Sequence, residues 1–227
     1  VYKRQPTVLG MIVHGDSEMD RPMPRGSGFA GHTDVVEAIP KYQFATRNLE
    51  ILEKGAAGFA NFSYLPERDG IVRRTPLLSK IDDTIIPTIS VEALRVAQGA
   101  GTLVARSAQA QGEFRVGALY GLHLLRIGAV EVPMELDTQF WLHYSPEIPE
   151  RTIAAWRVLE EPETLIDAVE GQIMLVGATA PGLRDLRATP LAHGVPGIYV
   201  HAQALEQMIL GRDLLRPGWA DGAEFLG

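Results

Sequence analysis

The chain contains no cysteine. That excludes disulfide scaffolds, thiolate metal centres and cysteine nucleophiles, and it leaves the redox compartment open, because a cysteine-free chain is stable in either poise. Long apolar runs are missing as well: Ile173 to Val176 is among the longest. None approaches the roughly 20 apolar residues that a membrane-spanning helix requires. The start at Val1 shows no basic stretch leading into an apolar one, so no secretory leader is read there. There is no basic stripe either. The formal charge is −7, and residues 131–170 hold ten Asp or Glu against Arg151 and Arg157. An acidic balance repels a polyanion, which excludes nucleic acid as a partner. The six histidines lack HxxxH or HExxH spacing, so neither a metal nor a cofactor is expected.

What remains is a folded chain of 227 residues, 46% of them hydrophobic, enough for one large domain or two small ones. Its 23 glycines and 15 prolines, about one residue in six, make it rich in loops without reaching low complexity. Residues 7–13 (TVLGMIV) read as a buried strand, and 14–34 as a polar, mobile surface loop. Residues 44–54 (FATRNLEILEK) approach helical spacing before Gly55. A strand over 58–64 then meets Pro66-Glu67-Arg68-Asp69-Gly70, where Asp-Gly supplies the positive φ of a β-hairpin turn. Alternation in the second strand puts Arg73 and Arg74 on opposite faces. Proline at 87, glycine at 99 and an apolar stripe between them predict a helix. Short antiparallel strands are expected between 114 and 144, and a helix over 162–170. Ile173-Met174-Leu175-Val176-Gly177 reads as a central strand covered on both faces, followed by a loop and a helix over 198–210. The fold class is therefore α/β: a central mixed sheet with helices packed on it and a small antiparallel strand appendage.

Chemical motifs are few. Gly177 to Gly182 follows a strand as a phosphate loop would, but no Gly-Lys-Ser/Thr follows, and Pro181 removes an amide from the cradle. Ser27 lacks the strand–turn–helix setting of a nucleophile elbow. Asp185, Thr189 and His201 follow the expected central strand, where α/β folds place ligands. Alternatively, Asp185 caps or hydrogen-bonds its own loop and His201 caps the last helix. Arg73 or Arg74, on the inner face, needs an acidic partner, and Asp185 is the candidate. Two readings stay open: an ion pair that pins the last loop to the hairpin, or the floor of a ligand site with His201 as its polar wall. A small-molecule-processing enzyme using Asp185 and His201, and a ligand-free dimerisation module, both stay open on the residues alone.

Three ordered segments, GFANFSYLPERDGIVRRTPL with PTISVEALR, IMLVGATAPGLRDLRATPL, and PGIYVHAQALEQMILGRDLLRP, together resemble the CHASE type 2 domain. The agreement falls on Gly58, Phe59, Asn61, Asp69, Gly70, Arg73, Arg74, Pro76, Leu77, Val176, Gly177, Asp185, Thr189, Pro190, Pro196, Gly197, His201 and Ala202. The resemblance implies an extracytoplasmic, periplasmic sensory domain, spanning 1–227, of an inner-membrane bacterial protein with adjacent transmembrane helices. Its cytoplasmic output domain would be an adenylate or guanylate cyclase or a histidine kinase. The chain itself would be non-catalytic, would answer an unidentified small-molecule or protein signal, and would form a homodimer through the full-length protein. It implies candidate ligand-binding roles for Arg73, Arg74, Asp185, Thr189 and His201, and structural roles for Asn61, Asp69, Gly70, Gly177, Pro190 and Gly197. The family's usual opening strands and their Trp-Pro-Trp-Pro-Arg segment do not occur in these residues. A sheet without them carries an open edge that a partner or a neighbouring copy must cover.

Overall fold

The computed structural model of the chain describes residues 5–14, 27–65, 67–107, 122–179 and 185–215. The first elements are β1 (Val8–His14), β2 (Gly28–Gly31), α1 (Thr33–Ala38), β3 (Lys41–Tyr42), β4 (Phe44–Thr46) and α2 (Glu50–Glu53). Then come β5 (Gly58–Asn61), β6 (Arg74–Pro76), β7 (Leu78–Ile81), β8 (Thr84–Pro87) and α3 (Ile89–Ala97). They are followed by β9 (Thr102–Arg106), β10 (His123–Ile127), β11 (Val130–Met134) and β12 (Gln139–Trp141). The last are α4 (Ala155–Glu160), α5 (Ile166–Val169), β13 (Leu186–Arg187), β14 (Val195–Pro196) and α6 (Gly197–Leu210).

The fold is mixed α/β, with helices packed on several sheets. In one sheet, β1 runs parallel to β5, pairing Val8 with Gly58 and Met11 with Asn61, and antiparallel to β4. A four-stranded sheet has the order β11-β10-β9-β2, with β2 parallel to β9, and a third has the order β3-β7-β8. The short pairs β6–β12 and β13–β14 are the antiparallel additions. Helix α3 lies against β1, β5 and α6. Its apolar stripe and that of α6 close a core with Leu103, Leu125 and Phe140, while Met11, Val13, Ala45, Ile81 and Ile86 form a smaller one beneath β1.

Helices α3 and α6 form where their apolar spacing predicts, and Gly211 ends α6 in the left-handed conformation at φ 61°. Other expectations need correction. Residues 44–46 are strand, because Ala45 is buried against the end of β1, and only 50–53 are helical. Of the expected loop 14–34, residues 15–26 lie outside the described residues, and its later part is β2 and the start of α1. The expected appendage over 114–144 supplies β10, β11 and β12, with 114–121 outside the described residues. The Asp69-Gly70 turn is present, with Gly70 at φ 79° and its amide bonded to the Glu67 carbonyl at 2.8 Å. It carries one cross-turn bond, from the Glu67 amide to the Ile71 carbonyl at 3.2 Å, but no hairpin ladder follows among the described residues. After the turn, the Val72 amide donates to Ala188 at 2.9 Å, and β6 pairs with β12.

The largest correction concerns 173–177, which joins none of the sheets among the described residues. Ile173 and Leu175 pack on the main core, while Met174 is 44% exposed and Val176 90% exposed. The run has the alternation of a strand with one covered face, and no hydrogen-bonded ladder holds it. Apolar continuity alone cannot distinguish that arrangement from a strand covered on both faces.

Candidate functional site

The candidate residues divide between two places. At the turn, Arg73 donates to Glu67 at 2.8 Å and to Asp69 at 2.8 and 3.1 Å. Arg74 reaches the same Glu67 at 3.3 Å and lies 4.9 Å over the Trp141 ring. Opposite faces of a strand therefore do not separate the two arginines. Both long side chains curl to one carboxylate on the adjoining turn, and neither pairs with Asp185. The last loop is nonetheless tied to this region, through the main-chain bond from Val72 to Ala188 and the Ile71–Ala188 bridge.

The second place is the start of α6. There Tyr64 stacks on His201 with ring centroids 4.7 Å apart, and its hydroxyl donates to the Gly197 carbonyl. The Arg187 guanidinium lies 5.4 Å from the centre of the Tyr64 ring and pairs with Asp185 at 3.1 Å. Asp185 and Arg187 are partly exposed, whereas His201 is 2% exposed. The bond from His201 Nε2 to the Phe62 carbonyl, 3.3 Å, requires the proton on Nε2, since a carbonyl only accepts. Nδ1 is then a buried acceptor with no partner. Burial, reinforced by the Arg187 charge, holds the imidazole pKa down to about 4 against the opposing bond to Phe62, so the ring is neutral. Burial also raises the Tyr64 hydroxyl, with Asp185 adding to it.

The structural motif residues have concrete roles. A Cβ on Gly197 would lie 2.5 Å from Asp185 Oδ1, so only glycine lets the carboxylate settle over the first turn of α6. Gly177 likewise lets the chain approach Ile198, where a Cβ would sit 2.6 Å from the Ile198 Cβ. Asn61, fully buried, donates to Ser79 at 2.8 Å and accepts from the Ser63 amide at 2.7 Å, joining β5 to β7. Asp69 accepts from the Ile71 amide at 3.0 Å, an Asx turn. Thr189 closes a local turn on Ala192, which Pro190 extends at the surface. Gly197→Ala should displace Asp185 and break its pair with Arg187, lowering stability by about 1–3 kcal/mol in chemical denaturation. An unchanged midpoint would show that the carboxylate has room to move.

Two polar clusters escaped the sequence reading. Glu92, fully buried on α3, accepts from Arg95 at 2.6 and 2.8 Å and from Ser27 Oγ at 2.8 Å. The i, i+3 spacing was visible, but burial of the carboxylate was not. Asp34, Ser107 and His123 meet from three distant segments, and the Ser107 hydroxyl proton is committed to Asp34. That bond holds the Asp34 carboxyl low, while burial lowers the His123 pKa against the raising effect of Asp34. A cavity of about 480 Å³ opens beside the Glu92 cluster, lined by its Ser27 and by Phe29, Lys80, Asp83, Thr84 and Ile85, and holds none of the expected site residues. Among the described residues no His, Asp and Glu cluster could hold a metal ion, and no helix is long and apolar enough to cross a membrane.

Against known families, the model of the CHASE2 domain matches residues 3–227. The chain belongs to the CHASE2 domain family. CHASE2 domains are extracytoplasmic and sensory, not catalytic. No curated protein and no solved structure matches the chain.

Proposed function

We propose that this CHASE2 domain is the periplasmic sensing part of an inner-membrane bacterial signalling protein, an adenylate or guanylate cyclase or a histidine kinase, and that it passes an external signal to a cytoplasmic output domain. The family match over nearly the whole chain carries this reading. The responsive locus within it is the start of α6. Asp185 and Arg187 offer partly exposed charges to a small molecule or a protein, and Tyr64 and His201 fix the helix behind them. Arg73 and Arg74 contribute through the main-chain tie at Ala188. A ligand acts here only by binding two arrangements of this loop unequally.

The test is the output activity of the full-length protein, nucleotide cyclisation or histidine autophosphorylation, with Arg187→Gln. The expected result is a severalfold change in output with a melting temperature close to that of the parent. Equal output in both proteins would remove the cluster as the responsive locus. Mass spectrometry of small molecules released from the purified chain then distinguishes a ligand sensor, which yields one, from a protein-responsive module.

A further inference from the structure

Residues 173–177 have the composition of a strand and one covered face, but no hydrogen-bonded neighbour among the described residues. No main-chain group of 173–179 takes part in a hydrogen bond among the described residues. Strand edges in stable folds are blunted by lysine, proline, a bulge or a covering element. Here the edge is Ile-Met-Leu-Val, with Val176 90% exposed, inside a stretch from Gly171 to Gly182 that carries no charge. Apolar side chains on the preceding segment, Trp156, Leu159 and Ile166, are also exposed.

We propose that this edge pairs with the same segment of a second copy, antiparallel about a two-fold axis at Leu175. Charge selects the orientation. Glu160, Glu161, Glu163, Asp167 and Glu170 all precede the run, and no charged residue follows before Arg184. Parallel pairing sets these acidic flanks side by side. Antiparallel pairing puts them at opposite ends of a ribbon about 16 Å long, beyond the screening distance of about 8–10 Å. The register is self-complementary as well: with Leu175 on the axis, the outward Met174 of each copy lies across from the outward Val176 of the other, and Ile173 across from Gly177. The unbonded main-chain groups gain ladder partners, and the exposed apolar row becomes the centre of an isologous interface. The occupant is a second copy because the segment itself supplies the required neutral, apolar partner.

Sedimentation of the purified chain at tens of micromolar should give a dimer. Val176→Lys should give a monomer whose thermal midpoint matches that of the parent diluted until it is monomeric, because the exposed side chain adds nothing to the protomer core while dimerisation itself raises the midpoint with concentration. In the cysteine-free background, Met174→Cys mixed with Val176→Cys should yield an oxidised crosslinked dimer, and neither variant alone should crosslink. A monomeric parent, a dimer indifferent to Val176→Lys, or crosslinking within either single variant would overturn the proposal.

Discussion

Replacing Arg95 by methionine should lower the stability of the domain by about 3–5 kcal/mol, because it leaves the Glu92 carboxylate buried beside a single hydroxyl donor. Glu92 is wholly inaccessible, and Arg95 satisfies both of its oxygens. The backbone at Gly58 packs directly on the carboxylate: a Cβ there would lie 2.0 Å from Glu92 Oε1. The guanidinium also donates to the Ala100 carbonyl at 2.5 Å, fixing the chain between α3 and β9. The double replacement Glu92→Leu with Arg95→Met should recover much of the loss, since removing both charges removes the desolvation penalty with them. Urea denaturation of the two variants checks this. Equal stability of Arg95→Met and the parent would mean that water reaches Glu92.

The second large effect is a pH dependence originating at His201. Its pKa is about 4 in the fold against 6.5 for the free side chain. Between those values the unfolded chain binds a proton that the folded chain refuses, so stability rises with pH. The contribution is complete above about pH 7 and falls as pH drops towards 4, by roughly 3 kcal/mol in all. His123, also depressed by burial, acts in the same direction. Asp34 and Asp69, held low by their hydrogen bonds, lose stability only at more acid pH. His201→Gln, which keeps a donor for the Phe62 carbonyl, should therefore flatten most of the slope between pH 7 and 4. Denaturation midpoints across that range decide it, and an unchanged slope would show that His201 is not the proton acceptor.

Where a local pattern sufficed, the structure was legible in the sequence. The apolar spacing of α3 and α6, the Asp69-Gly70 turn and the β1 strand all depend on neighbours a few residues apart. What was not legible depended on partners far along the chain. Ala45 is strand because β1 lies beside it, and 173–177 finds no ladder partner among the described residues. The site was half visible. His201 and Asp185 do lie at the start of α6, but the partner of Asp185 is Arg187, two residues on, and the stack on Tyr64 spans most of the chain. Arg73 and Arg74 looked separable by strand alternation until the reach of their side chains to Glu67 entered.

The extracytoplasmic placement is the central claim, and the absence of cysteine makes it directly measurable. Asp83 follows β7 in a turn, its side chain fully exposed. In the full-length protein, Asp83→Cys should react with a membrane-impermeant maleimide on cells whose inner membrane is intact, above the level of the unsubstituted parent. Labelling that appears only after lysis would place the domain in the cytoplasm and contradict the account.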